Sequence, residues 1–308
     1  FSSKVKPSAR VLLVGDIHQL PSVGAGEVFR QLILCGKIPV TTLDLVYRQG
    51  KNSNIALNAK LMQQGRTDLI EGEDFQMIRG SDACKGAEEA AQIVKELYVK
   101  ELAVHGMDQV QILSPYKVRS AAGVIEINRT IQDLVNPPIS GKKELHIHDH
   151  IFREGDKVLQ NKNTEVASNG DMGILTEISE DEDSNPLARI VFPDGRSVLY
   201  EADQMDMVEH ANAITIHKSQ GNECQVVIIP WVWAFYKMLK RNILYTGITR
   251  AKQKVYLVGE KKAITVAIKQ ESTGTRNTIL AERIRYYCDI YQKPTQRHPK
   301  MEQLRLAV

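Results

Sequence analysis

Four separated segments of the 308-residue chain carry side chains suited to phosphate, sugar or backbone contacts. In the first, Val14-Gly15-Asp16 runs into Ile17-His18-Gln19-Leu20-Pro21, which leaves an acid, an imidazole and an amide just beyond an apolar run. Open α/β sheets bind ligands past the carboxyl ends of their strands, so this is a place for chemistry; a plain strand, turn and helix start fits equally well. The second segment, Leu45 to Gln49, brings Arg48. The third, Ala213 to Glu223, carries Thr215, His217 and Ser219 at alternate positions, which would present them on one side of a strand running into a loop. The bland alternative for Thr215 and Ser219 is a buried strand end whose hydroxyl caps the next helix. The fourth, Leu244 to Lys252, brings Arg250. Taken singly, each arginine reads as a surface charge and Gln19 as a solvated loop residue; their order along the chain is what gives them weight.

Other residues invite chemistry less strongly. His146, His148 and His150 would share one face of an extended segment, but Asp149 would point the other way and no thiol is near, so metal binding is a weak reading. Trp231, Trp233, Phe235 and Tyr236 could stack on bases, yet they follow an apolar strand and read better as packing. The acidic run Glu180 to Asp183 reads as a solvated hairpin tip. No G-x-x-x-x-G-K-[ST] occurs: Gly36-Lys37 is followed by Ile38 and Gly141-Lys142 by Lys143. These 308 residues therefore encode no phosphate-cradling loop of that kind.

The elements that must position these groups are α/β in the first half. Apolar runs predict strands at Arg10–Val14, Thr42–Tyr47, Phe75–Ile78 and Gln109–Leu113. Helical periodicity predicts helices over Gly26–Leu34, Ser53–Gln64, Ala87–Val104 and about Ser120–Leu134, the last stopping before Pro137-Pro138. From Ile151 to Glu209 the texture changes to short alternating strands, with a hairpin turn at Pro193-Asp194-Gly195, which predicts a small β-barrel-like insertion. Strands at Ala213–Ile216, Val226–Ile229 and Val255–Val258 return the chain to α/β texture.

Taken in order, the four segments resemble motifs III, IV, V and VI of superfamily 1 helicases, and the G-D-x-x-Q-L-P and H-K-S-Q-G forms are similar to the RecD-like branch. The resemblance extends through Ile112 to Lys117, Asn128, Asn136-Pro137, Gly155 to Val158 and Asn169 to Asp171, and reaches Arg276 to Thr278. It implies a RecA-like parallel-sheet motor domain of the P-loop NTPase fold with an inserted SH3-like β-barrel. The implied division is the end of a first motor domain over 1–40, the second motor domain over 41–150 and 210–290, the insertion over 151–209, and a tail over 291–308. The implied roles are Arg250 as the arginine finger, Arg48 as a γ-phosphate contact, Gln19 as a phosphate sensor, and Gly221 and Glu223 as nucleotide contacts. Single-stranded DNA would meet Thr215, His217 and Ser219, more weakly Ser114 and Lys117, and Lys157 and Asn161 at the start of the insertion. ATP and magnesium are the implied cofactors, bound mainly by a missing N-terminal part, since the chain looks like the C-terminal part of a longer enzyme and is expected to be inactive alone. The implied activity is ATP-driven 5′ to 3′ translocation and unwinding, with single-stranded DNA and junctions as partners and repair or recombination proteins as possible ones.

Composition bounds these readings. With 43% hydrophobic and 25% charged residues the chain can bury a substantial core, which argues against disorder. No apolar run approaches the roughly 18 residues of a membrane span, and the four scattered cysteines fit a reducing compartment, the cytoplasm by default. The net charge of +3 is too small to identify a partner, but its distribution is uneven: Lys237 to Lys262 carries a net of +7, Asp171 to Glu209 a net of −9. Two competing readings stand beside the motor: a non-catalytic DNA-binding or scaffold module, and the helicase part of a conjugative relaxase or recombination nuclease complex.

Overall fold

The computed structural model describes residues 6, 8–21, 24, 26–43, 53–78, 86–118, 120–270 and 278–291. It separates into two units, one formed by 1–17, 21–44 and 273–308 and the other by 18–20 and 45–272.

In the smaller unit, α1 (Val28–Leu34) is held by α7 (Leu280–Tyr291). Arg285 donates from Nη2 to Leu34 O at 2.7 Å and from Nε to Cys35 O at 3.2 Å, satisfying carbonyls that a helix end leaves open. Residues 280–291 thus group with the N-terminal segment, whereas the sequence reading ended the second motor domain at 290. The expected strand Arg10–Val14 does not form: it has no ladder, and Leu12 and Val14 are 87% and 84% exposed. A buried parallel strand needs neighbours, and the described residues of this unit contain no strand to pair with it. Of the expected strand at Thr42–Tyr47, residues 42 and 43 are irregular and the rest lies outside the described residues.

The larger unit is built on a five-stranded parallel sheet of β1 (Phe75–Ile78), β2 (Val110–Ser114), β10 (Ala213–Thr215), β11 (Cys224–Trp231) and β12 (Ala251–Gly259), in the order β1-β12-β11-β2-β10. The central strand β11 is apolar almost throughout, as a strand buried on both faces must be. Its Pro230 lies past the ladder with β2, which ends at Ile228. Gly259 closes β12 at φ +156°, and a Cβ there would stand 2.0 Å from Trp231 O; only glycine admits this approach of the two strand ends.

Helices cover the sheet. On α3 (Ala87–His105), Ala87, Ala90, Ala91, Val94 and Tyr98 recur at helical spacing and pack on β2 and β11. Burial pushes the Tyr98 phenol far up, and its hydroxyl donates to Asn212 Oδ1 at 3.0 Å. α2 (Asn54–Gln63) is capped by Ser53, whose Oγ accepts from Ile55 N and donates to Asp74 at 2.7 Å. α4 (Val124–Val135) starts four residues later than its periodicity suggests, after a turn at Ser120–Gly123. α5 (Arg241–Ile248) and α6 (Lys261–Lys269) complete the cover.

The antiparallel region begins at Glu144, before Ile151, with a hairpin of β3 (Glu144–Ile147) and β4 (His150–Arg153). A second sheet follows from β5 (Lys157–Gln160), β6 (Met172–Glu180), β7 (Pro186–Val191), β8 (Ser197–Glu201) and β9 (Val208–His210), in the order β8-β7-β6-β5-β9. It has its own core, including Phe152, Val158, Leu175, Ile190 and Tyr200. Entry and exit are neighbours, because Val158 pairs with His210. His146, His148 and His150 do not share a face: a turn at 148–149, with His148 at φ +51°, breaks the extended run, and His148 meets Asp206 while His150 lies beside Phe152.

The insertion is anchored by a buried carboxylate, Asp156. It accepts from Arg153 N, Gln132 Nε2 and Asn136 Nδ2, each at 2.7 Å, and faces His210 Nε2 at 3.2 Å. Burial by itself would raise its pKa, but His210, Asn136 and the Arg153 N–H outweigh that and hold it below the usual carboxylate range.

Candidate functional site

The sheet brings two of the expected segments together at its carboxyl edge. Thr215 pairs with Ser114, so β2 and β10 leave the sheet side by side. After Thr215 the backbone turns helically rather than staying extended: Ser219 N donates to Thr215 O at 3.1 Å and Asn222 N to Ser219 O at 3.0 Å. The alternation that would have put Thr215, His217 and Ser219 on one side is therefore lost. His217 remains exposed, and shielding by its surroundings, then the Lys240 charge, pushes its pKa down. Thr215 is half-buried, and its Oγ1 accepts from Lys218 N at 3.2 Å.

Three expected DNA contacts face inward instead. The Ser219 hydroxyl is buried and donates to Ile216 O at 2.8 Å. The Ser114 hydroxyl donates to Ala122 O at 2.8 Å and accepts from Tyr116 N. Lys157 is buried, with Nζ donating to Met107 O at 2.8 Å and Val110 O at 3.1 Å. All three hold turns or join elements, the bland role for polar residues at strand ends. Lys117 is exposed but paired with Glu209 at 2.6 Å, and Asn161 Oδ1 accepts from Lys218 Nζ, which also donates to Asn169 Oδ1 at 3.0 Å.

At the amino edge, Cys224 pairs with Ala251, so the residues just before them, Glu223 and Arg250, begin adjacent strands. Cys224 N donates to Arg250 O at 3.1 Å. The Arg250 side chain is only 5% exposed; its Nε donates to Thr246 O at 3.2 Å and its Nη2 to Thr249 Oγ1 at 3.4 Å. Lys252 meets Glu223 at 3.3 Å. Gly221 adopts φ +92° with open space where a Cβ would stand, so its backbone is accessible to a ligand.

The segment 18–20 docks here. Leu20 N donates to Thr246 Oγ1 at 3.0 Å, Gln220 Nε2 donates to Leu20 O at 3.0 Å, and the His18 ring meets Tyr245 edge-on at 6.0 Å. Gln19 is thereby held between α5 and the 215–222 turn. Arg48 lies outside the described residues. Sequence reasoning passed over His18, Gln220, Tyr245 and Thr246 as positioning residues, although all four stand inside the segments it quoted; their signal was adjacency to Gln19, Gly221 and Arg250.

Three family models match the chain: an AAA domain over 1–88, the ATP-dependent RecD-like DNA helicase SH3 domain over 127–192, and the UvrD-like helicase C-terminal domain over 210–258. The chain is 32% identical over 284 residues to the ATP-dependent RecD2 DNA helicase of Deinococcus radiodurans, covering 91% of this chain and 37% of that protein. It belongs to the RecD-like helicases of superfamily 1. Within this family it is also 27% identical to the RecBCD enzyme subunit RecD of Mycolicibacterium smegmatis, covering 91% of this chain and 50% of the relative. The conjugal transfer protein TraA of Agrobacterium fabrum is 24% identical, over 82% of this chain and 22% of that one. The chain thus spans half or less of the length of these relatives. Its fold is the RecA-like α/β sheet of the family with an SH3-type insertion.

Gly221 offers open backbone, and Arg250 and Lys252 put two cations at one sheet edge. Among the described residues no group of three His, Cys, Asp or Glu side chains converges to hold an ion. Among the described residues no helix is long and apolar enough to cross a membrane.

Proposed function

We propose that the chain is the ATP-responsive second motor domain of a 5′ to 3′ DNA helicase, completed by a phosphate-binding loop that these 308 residues do not encode. One observation carries the reading: the 215–222 turn runs from His217 at the carboxyl edge to Gly221 beside Glu223 and Arg250, and its Gln220 holds the Gln19 segment on the way. In this reading one short stretch of backbone links the nucleotide edge to the DNA edge.

In this reading ATP, when bound with its magnesium, supplies a developing negative charge at the phosphate being transferred. Arg250 stabilises that charge, its guanidinium oriented beforehand by Thr246 and Thr249 so that little reorganisation is needed. Gln19, fixed through Leu20, presents its amide to the phosphate, and Glu223 meets the nucleotide sugar. Thr215 and His217 contact the DNA backbone, which requires no base-specific hydrogen bonds. The direction of travel rests on RecD-like kinship. The polypeptide carrying this chain is expected to separate duplexes with a 5′ single-stranded tail and to leave those with a 3′ tail intact; equal unwinding of both would refute the polarity, and unwinding of neither the motor reading.

A further inference from the structure

The aromatic residues at the end of β11 and in the 3-10 helix Trp233–Met238 that follows it at the carboxyl edge fall into two groups. Trp231 and Phe235 are fully buried, as the sequence suggested, and Phe235 stacks on Tyr116 with ring centroids 5.3 Å apart. Trp233 and Tyr236 instead are 39% and 59% exposed. Solitary exposed aromatic residues need no explanation, but these two are held and flanked by charge. Trp233 N donates to Glu260 Oε1 at 3.0 Å, and Lys262 Nζ lies 4.2 Å from its ring centroid. Lys237 Nζ lies 5.8 Å from the centre of Tyr236. Lys237, Lys240, Lys261 and Lys262 are all exposed, and they belong to the segment whose net charge is +7.

We propose that Trp233 and Tyr236 form a base-stacking step for single-stranded DNA, with Lys237, Lys240 and Lys262 taking the phosphates on either side. The proposal rests on the helicase reading above and adds to it a second mode of contact, since the face at Thr215 and His217 offers backbone contacts alone. Geometry makes the two continuous. Tyr116 lies two residues past Ser114, the partner of Thr215, and carries Phe235 on its ring, and the Lys240 charge adds to burial in lowering the His217 pKa. From β10 across β2 and β11 to β12 is three strand spacings, about 14 Å along one edge, the reach of a few nucleotides. Aromatic faces and cations together along one groove bind single strands with little regard for sequence, because every base has a face to stack. With its backbone N–H held by Glu260 and one ring face covered by Lys262, Trp233 loses little freedom on stacking.

The chain's two tryptophans make the test direct, because Trp231 is sealed in the core with Nε1 donating to Ala263 O at 3.3 Å and only Trp233 meets solvent. Titration with oligo-dT should quench the protein fluorescence, and titration with an abasic oligonucleotide of equal length should bind without quenching. Trp233→Ala should abolish the quench and weaken oligo-dT binding by about 10-fold, Tyr236→Ala should weaken it comparably, and Trp233→Phe should restore most of the affinity. Binding of the abasic strand should be unchanged in all three, which also shows that the variants are folded. Equal affinity of Trp233→Ala for oligo-dT, or equal quenching by both strands, would overturn the stacking step while leaving the helicase reading intact. Failure of the unaltered chain to bind either strand would overturn both.

Discussion

Asp156→Ala should be among the most damaging single changes outside the Glu223–Arg250 edge. The carboxylate accepts three hydrogen bonds at 2.7 Å, from Gln132 and Asn136 of the α4 region and from the Arg153 backbone, and faces His210 at 3.2 Å where β9 leaves the insertion. Alanine removes that acceptor: Gln132 keeps Ile151 O and Asn136 keeps Glu154 O, but one N–H of each amide and the Arg153 N–H lose their partner. Each orphaned donor costs about 1–3 kcal/mol when it cannot relax to water. Partial relaxation keeps the total below the sum, so the expected loss is about 3–5 kcal/mol. Against a typical stability of about 5–15 kcal/mol the variant should still fold. Urea unfolding followed by circular dichroism measures the loss, and amide exchange at Val158 and Ala211 should report opening of the insertion before the parallel sheet. The sign of the pH effect follows from the depressed pKa. The folded carboxylate binds its proton less readily than the unfolded one, so its contribution is complete above the ordinary carboxylate range and is lost as pH falls through the folded value. The stability gap between wild type and Asp156→Asn should therefore narrow on acidification. A loss under about 1 kcal/mol for Asp156→Ala, or a gap that widens in acid, would refute the anchoring argument.

Two further outcomes follow from burial in the insertion. Burial pushes the Lys157 pKa down, so the folded state gives up that proton more readily than the unfolded chain; stability should rise as pH increases from the folded pKa toward the ordinary lysine range, and Lys157→Met should flatten the rise in urea titrations at stepped pH. Replacing 162–206 by a Gly/Ser linker should leave the parallel sheet folded and soluble, whereas replacing 151–209 should not, because Lys157 and Leu159 belong to the packing of the larger sheet; thermal melts of the two deletions decide it.

Legibility in the sequence tracked how local the determining physics was. Phe75–Ile78 and the long helix from Ala87 could be read because their apolar spacing is dictated by one buried face. Arg10–Val14 has the composition of a strand, but a strand exists only where a neighbour pairs with it, and composition carries no information on neighbours. In the candidate site, motif order singled out Glu223 and Arg250, and the pairing of Cys224 with Ala251 places these two residues, distant in sequence, at one edge. Ser114, Ser219 and Lys157 misled because a hydroxyl or ammonium looks the same in sequence whether it faces a ligand or a carbonyl of its own chain. Trp233 and Tyr236 misled in the opposite direction, since a 3-10 turn exposes two of four neighbouring aromatic residues that an even pattern would have buried.

The central claim is that Arg250 acts on a nucleotide, and ATP turnover by the intact helicase carrying this chain tests it most directly. With saturating single-stranded DNA, Arg250→Ala should lower kcat by about 10³-fold while nucleotide affinity changes far less, as expected for a group that acts mainly in the transition state. Arg250→Lys, which keeps the charge but not the fork, should recover only a small part of the rate. Hydrolysis by a folded Arg250→Ala variant at the wild-type rate would contradict the account.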